Sequence, residues 1–184
     1  MLNTGRLVTS LRYRLNDMQG VRYSDFELIE AVNRAAGLLF GRLSARFVWA
    51  ASKKTVIIVD EEAGSALLPR DFHNMRRVTR EAEGTVNPGR GTADYRVVGQ
   101  EFYAAPGAYG LEYWYLPRPV FGMDDELDAP EAVSPWLETV ALAVLKDDMS
   151  GAETVCEECC RTLAGGEASR FPEHGVAQII GGVL

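Results

Sequence analysis

Cys156, Cys159 and Cys160 lie close together, and with the distant His174 they invite a metal reading. A structural zinc takes four ligands at tetrahedral spacing. Three thiols at i, i+3 and i+4 instead mark one face of a helix, so small apolar cysteines packed in a core are expected. An odd, clustered count is no disulfide framework and fits a reducing compartment. His73 follows Pro69-Arg70-Asp71-Phe72, and a dyad with Cys159 is conceivable. Neither residue sits in a nucleophile elbow or a protease signature, so His73 reads as a loop residue and no enzyme is expected. Asp124, Asp125, Glu126 and Asp128 resemble half of a calcium loop. The central glycine and the closing glutamate are missing, which leaves a solvated linker. Asn87-Pro88-Gly89-Arg90-Gly91 has no following Gly-Lys-Ser/Thr, so it is a loop and not a phosphate cradle. No cofactor and no metal is expected.

The elements that would position these residues run as helices, then strands, then helices. From Thr4 to Asp17, Leu7, Leu11 and Leu15 recur every four residues, with Val8 and Met18 widening the stripe. Asn16 to Gly20 is a break. Ser24 with Glu27 has the capping-box spacing, and Tyr23 is placed to staple against Leu28. The second helix then presents Ile29, Val32, Ala36, Leu39, Leu43 and Phe47, with Arg34, Arg42 and Arg46 largely off that face, and reaches about Ala45 before Phe47-Val48-Trp49 leaves it. Gly37 and Gly41 each cost about 1 kcal/mol against alanine in a helix interior. They are tolerable where another helix approaches closely, within the chain or from a second subunit.

The period then changes. Thr55 to Val59 is a β-branched run, followed by a turn, a short strand from Ser65 to Leu68 and another from Met75 to Thr79. Thr85 to Thr92 reads as a loop. Tyr95–Val98 and Glu101–Ala104 flank a Gly99-Gln100 turn, and Tyr109 to Tyr115 closes the series. An antiparallel sheet or small sandwich is expected. Alternation sends Tyr113 and Tyr115 to one face and Trp114 to the other, so both faces need cover: one from the core, the other from a neighbouring subunit. A stacking platform for nucleic acid is the alternative. Ser134-Pro135 opens a third helix as N-cap and first position, Gly151 breaks or bends it, and a fourth helix carries the cysteines to Gly165-Gly166.

The expected fold is α+β: a four-helix bundle of N- and C-terminal helix pairs, an inserted antiparallel β subdomain and an extended C-terminal tail. The corresponding spans are 1–49, 50–122, a linker at 123–133, 134–165 and 166–184. The 184 residues carry a net charge of −7, with 47% hydrophobic and 24% charged residues. That is a globular composition with enough chain for one core. The longest uncharged apolar run, Ala35 to Gly41, is far below the roughly 18 residues of a membrane span. No secretion signal is seen at the N-terminus. The charge is polar along the chain: residues 1–54 carry +5, 55–122 carry −2 and 123–184 carry −10. Opposite ends attract within a protomer or between neighbours, and an acidic total disfavours unspecific binding to phosphates. Of 19 basic residues only Lys53, Lys54 and Lys146 are lysine, which favours directional contacts.

A series of short motifs carries a resemblance: Leu11-Arg12-Tyr13-Arg14-Leu15-Asn16-Asp17, Arg22-Tyr23-Ser24-Asp25 with Leu28, Leu67-Leu68-Pro69 with Asp71-Phe72, Phe102-Tyr103-Ala104-Ala105-Pro106, Leu116-Pro117-Arg118-Pro119 and Ser134-Pro135-Trp136-Leu137. In this order, over roughly 6–165, the chain resembles the head-to-tail adaptor (connector) proteins of tailed bacteriophages, especially of short-tailed phages. The segment Ala141 to Asp148 is more acidic than that family's pattern, and the cysteines are unusual for it.

The resemblance implies a virion structural protein of the neck, made in the host cytoplasm, without a catalytic site and without a membrane partner. About twelve copies would form a ring beneath the portal protein, extend the DNA channel and receive a tail or nozzle protein. Packaged DNA would pass without sequence-specific binding. The C-terminal segment would reach the portal, with Gln178, Ile179, Ile180, Val183 and Leu184 as the contact residues. Arg34, Arg42, Arg46, Tyr113 and Tyr115 are the expected subunit-interface residues. The alternatives are another tail or baseplate subunit, or a nucleic-acid-binding accessory protein using the basic stretch from Arg6 to Lys54.

Overall fold

The computed structural model describes residues 1–80 and 95–170, with side chains through residue 164. Its helices are α1 (Thr4–Leu15), α2 (Asp25–Ala45), α3 (Ser134–Leu145) and α4 (Met149–Arg170). Its strands are β1 (Leu2–Asn3), β2 (Ser52–Val59), β3 (Ser65–Leu67), β4 (Phe72–Arg80), β5 (Tyr95–Val98), β6 (Glu101–Ala104), β7 (Gly107–Tyr115) and β8 (Glu126–Leu127). All pairings are antiparallel, in three sheets ordered β1-β8, β2-β7-β4 and β3-β6-β5.

The four-helix bundle does not form, although the α+β class stands. α2 is the hub, packed on α1, α3 and α4, and it also meets β7. Its buried residues Leu28, Ile29, Ala31, Val32, Ala35, Ala36, Leu39, Phe40, Leu43 and Ser44 span more than half the circumference at about 100° per residue. That arc is wider than one bundle seam. Part of it serves the sheet: the Phe40 ring lies 5.2 Å from that of Tyr115. The short α1 packs on α2 and α3 and is tied at its start to the linker.

Local chemistry explains most boundaries. Asn3 caps α1 by accepting from the Arg6 N–H at 3.0 Å. The next free N–H groups, of Thr4 and Gly5, donate to the carbonyls of Asp125 and Met123. The stretch expected to be a solvated linker is therefore structured: β8 pairs with β1, and Leu127 and Ala129 are buried. The capping box of α2 forms as expected, with the Glu27 carboxylate accepting from the Ser24 N–H at 2.8 Å and the Ser24 hydroxyl accepting from the Glu27 N–H at 3.3 Å. The Ser24 N–H and the Ser24 hydroxyl, both donating to that carboxylate, hold it below its usual range.

Four further expectations are corrected. Phe47 is not on the buried face of α2. It follows the helix in the left-handed region (φ 57°) and is exposed, its ring edge-on to Trp114 at 5.9 Å. Ser134 is the first residue of α3 and its side chain caps nothing. The α3–α4 break falls at Asp147 (φ 57°) and not at Gly151, because Asp148 caps α4 by accepting from the Gly151 N–H at 2.8 Å. α4 runs through Gly165 and Gly166 to Arg170, so the segment beyond the helix begins later than expected.

Candidate interaction surfaces

The charge polarity of the sequence is used in part inside the chain. Glu157 of α4 receives Arg42 at 3.0 Å and Arg46 at 3.1 Å. Glu138 of α3 accepts from the Ser10 hydroxyl at 2.7 Å and faces Arg14 at 3.7 Å. Basic N-terminal and acidic C-terminal helices are thus strapped together, each exposed pair worth at most about 1 kcal/mol. Of the expected interface arginines, Arg42 and Arg46 are in this strap, and Arg34 is exposed with no ion pair among the described residues.

Tyr113 and Tyr115 are buried within the single chain, as is Trp114. The second cover that the sequence assigned to a neighbour comes from this chain: Phe40 and Lys53 on Tyr115, Phe72 on Tyr113, and Phe47 and Arg76 on Trp114. A polar joint sits beside these rings. The Lys53 ammonium of β2 donates to Asp71 at 2.6 Å and to Asp128, and lies 4.0 Å from the Tyr115 ring centre. The Tyr113 hydroxyl donates to the second oxygen of Asp71 at 3.2 Å. Burial first, and then the Asp71 carboxylate, push Tyr113 up to about 12. The same burial with the Asp128 and Asp71 charges raises Tyr115 further. The joint fastens β2, β7, the entry to β4 and the linker after β8, and its residues come from four separate segments.

A second polar centre closes the α1–α2 hairpin. Asp17 is buried, and its carboxylate accepts from the backbone N–H groups of Val21, Arg22 and Tyr23 at 2.9–3.2 Å. Arg12 bridges the Asp17 side chain at 3.4 Å and Asp25 at 2.6 Å. Burial would raise the Asp17 carboxyl, but the three N–H donors and Arg12 outweigh it and hold it below the usual range. A third link joins α2 to the segment that follows β7: the Asn33 amide donates to the Val120 carbonyl at 2.8 Å and accepts from its N–H at 2.9 Å. Sequence reading missed Asn33 and Asp17; a polar residue on the buried side of α2 was the available signal for the first.

The candidate chemistry falls out differently. The three cysteines are free and buried on α4. Burial pushes Cys156 up to about 11 and Cys159 up to about 12, and raises Cys160. Thiolates are therefore scarce near neutral pH. His73 is exposed on strand β4, not in a loop. Among the described residues no group of three or more His, Cys, Asp or Glu is placed so that it could hold a metal ion. Asp125 accepts from the N–H groups of Phe121 and Gly122, which holds its carboxyl low, and Asp128 belongs to the Lys53 joint. Asp124 and Glu126 remain exposed. His174, the glycine loop 85–92 and the expected portal contacts Gln178, Ile179, Ile180, Val183 and Leu184 lie outside the described residues.

The fold also leaves several large apolar side chains uncovered. Tyr13, Met18, Val21 and Phe26 surround the α1–α2 turn, Val56 and Ile58 stand out from edge strand β2, and Phe121 follows the sheet, all exposed. No helix among the described residues is long and apolar enough to cross a membrane. No protein-family model matches the chain, and no curated protein matches it.

Proposed function

We propose that the chain is a structural subunit of the bacteriophage neck: a ring-forming head-to-tail adaptor that joins the portal to the tail and extends the DNA channel. The observation that carries this reading is the set of large apolar residues left exposed on one copy around the α1–α2 turn and on β2, beside an interior whose polar residues are spent on holding segments together. Exposed apolar patches of this kind serve protein partners. The ordered motifs from Leu11 to Leu137 supply the class of partner. The basic-stretch alternative loses support, because Arg12, Arg14, Arg42, Arg46, Lys53 and Lys54 are all ion-paired within the chain.

Mass measurement of the purified chain with and without portal tests the proposal: self-association and portal binding are expected, and a strict monomer that never binds portal refutes it. The portal contact is assigned to the C-terminal segment. Deleting Glu173–Leu184 is expected to weaken portal docking and leave thermal unfolding unchanged; normal particle assembly by the truncated chain refutes that assignment. Density for the assembled particle separates an adaptor from another tail or baseplate subunit by position.

A further inference from the structure

The β2-β7-β4 sheet turns Tyr109, Leu111, Tyr113 and Tyr115 inward, where all four are buried. Its outer face is ordered in rows, because alternate residues of neighbouring strands stand side by side. Trp114 shares a row with Ser52 and Asn74 and is covered by the Phe47 ring and the Arg76 guanidinium. The next row is Lys54, Glu112 and Arg77, and the one after it is Val56, Gly110 and Thr79. Gly110 has no side chain to fill its row. A hollow of about 390 Å³ opens over it, walled by Val56 and Thr79 and reaching Lys54, Arg77 and Glu112. Val56 and, one row further on, Ile58 are exposed beside it. Charge is uneven on this face. Glu112 is the one carboxylate in these rows among the described residues, and Lys54 takes it at 2.7 Å. Burial would raise the Glu112 carboxyl, but Lys54, and then Arg76 and Arg77, hold it below its usual range. Arg76 and Arg77 are exposed, and neither is in an ion pair among the described residues. The exposed acids Asp60, Glu61 and Glu62 come after β2, past the Ile58 end. The face is therefore basic at the Lys54–Arg77 row and aliphatic from Val56 to Ile58.

We propose that this outer face docks a segment of a partner protein that carries an apolar side chain beside a carboxylate, the apolar group entering the hollow over Gly110 and the carboxylate meeting Arg77 and Arg76. The occupant follows from charge. Arginines without a carboxylate are directional donors without an acceptor, and their counterpart is a carboxylate or a phosphate. The walls of the hollow are aliphatic and the Trp114 ring is already covered, so the hollow offers no ring on which a base would stack, and a carboxylate is favoured over a phosphate. Adjacent rows lie about 7 Å apart, twice the rise of a strand residue, so the two groups are spaced as alternate residues of an extended segment. The inference goes beyond the adaptor reading and stands without it.

Fluorescence anisotropy on the full-length chain tests the contact, the probe being a labelled peptide of alternating leucine and glutamate. Binding that weakens as salt is raised is expected. Arg77→Gln removes one cation, and Val56→Glu sets a carboxylate at the rim of the hollow. Both positions are exposed, and thermal unfolding of both variants should match the wild type. Each should bind the peptide about tenfold more weakly, as loss of a charged hydrogen bond or an interface anchor does. Arg161→Glu makes a larger change of net charge at an exposed site on α4 and should bind as the wild type does. A peptide that fails to bind, or one weakened equally by Arg161→Glu, overturns the proposal. Tighter binding of an oligothymidylate also overturns it and makes the face a phosphate-binding surface. Loss of self-association in Arg77→Gln with no effect on the peptide overturns it too and gives the face to a second copy.

Discussion

Asp17 and Lys53 anchor two polar centres of opposite construction. Asp17 is one carboxylate served by donors close in the chain, from Arg12 to Tyr23. Lys53 is one ammonium shared by carboxylates 18 and 75 residues away, over the Tyr115 ring, with the Tyr113 hydroxyl on one of those carboxylates. The first fixes a turn; the second fixes one subdomain on another. A local centre forms as soon as its turn does and holds it rigid. A non-local centre forms only after the sheet and linker have met, and its worth depends on how dry that meeting place is.

Removing the long-range cation should have the largest effect. Lys53→Met keeps the stem that packs on Tyr115 but leaves Asp71, whose side chain is only 10% exposed, facing Asp128 without a counter-ion. Breaking a fully buried pair costs about 3–5 kcal/mol. The partial exposure of Lys53 and Asp128 screens this toward about 2 kcal/mol. For a chain of this length that is a fall of about 4–8 °C in Tm. A shift below 1 °C would mean that the joint is wet and contributes no more than a surface pair.

Asp17→Asn tests the local centre and should cost less at neutral pH than loss of Lys53: the amide oxygen still accepts from Val21 and Arg22, while the amide nitrogen in place of the second oxygen no longer accepts from Tyr23 or Arg12. The difference should show in acid. The folded Asp17 carboxyl lies below its usual value, so its contribution is full above about 4 and is lost as pH falls through the folded value. The variant should therefore unfold with a flatter acid limb than the wild type. Parallel acid limbs would remove Asp17 from the account of the turn.

The same contrast shows how much could be read from the sequence. The α1–α2 hairpin was legible: Leu7 and Leu11 gave the face of α1, Asn16 to Gly20 the break, and Ser24 with Glu27 the start of α2. All are patterns within a few residues. Strands β2 to β7 were legible from β-branched runs and Gly turns, within a few residues at their ends, whereas the two-residue β1 and β8 carried no such run. The bundle was misread because an apolar stripe reports that a helix face is buried and not what buries it. Phe40 and Tyr115 meet across 75 residues of sequence, and no period records that. The linker was misread for a related reason. Acidic composition at Asp124–Asp128 looks solvated, yet Asp125 caps a turn, Asp128 holds Lys53, and Leu127 is buried through pairing with β1. The expected interface tyrosines follow suit, since alternation detects that both faces of β7 are covered but not by which chain.

The smallest effect is expected from Tyr113→Phe, which keeps the ring against Phe72 and removes one hydrogen bond to Asp71. At neutral pH the loss should be about 1 kcal/mol, the ordinary net worth of such a bond. In alkali the order should narrow. Folded Tyr113 ionises at about 12, above its ordinary value near 10, so its contribution is complete below pH 10 and is lost as pH rises toward 12. The phenylalanine variant has no proton to lose there, and its stability should decline less steeply over that window. Tyr115, raised by the same burial and carboxylates, keeps part of the slope in both proteins. Urea unfolding at pH 7 and pH 11 measures the gap directly. A gap that stays constant would show that Asp71 and Tyr113 do not share a dry joint, and that the Lys53 centre is as solvated as an ordinary surface pair.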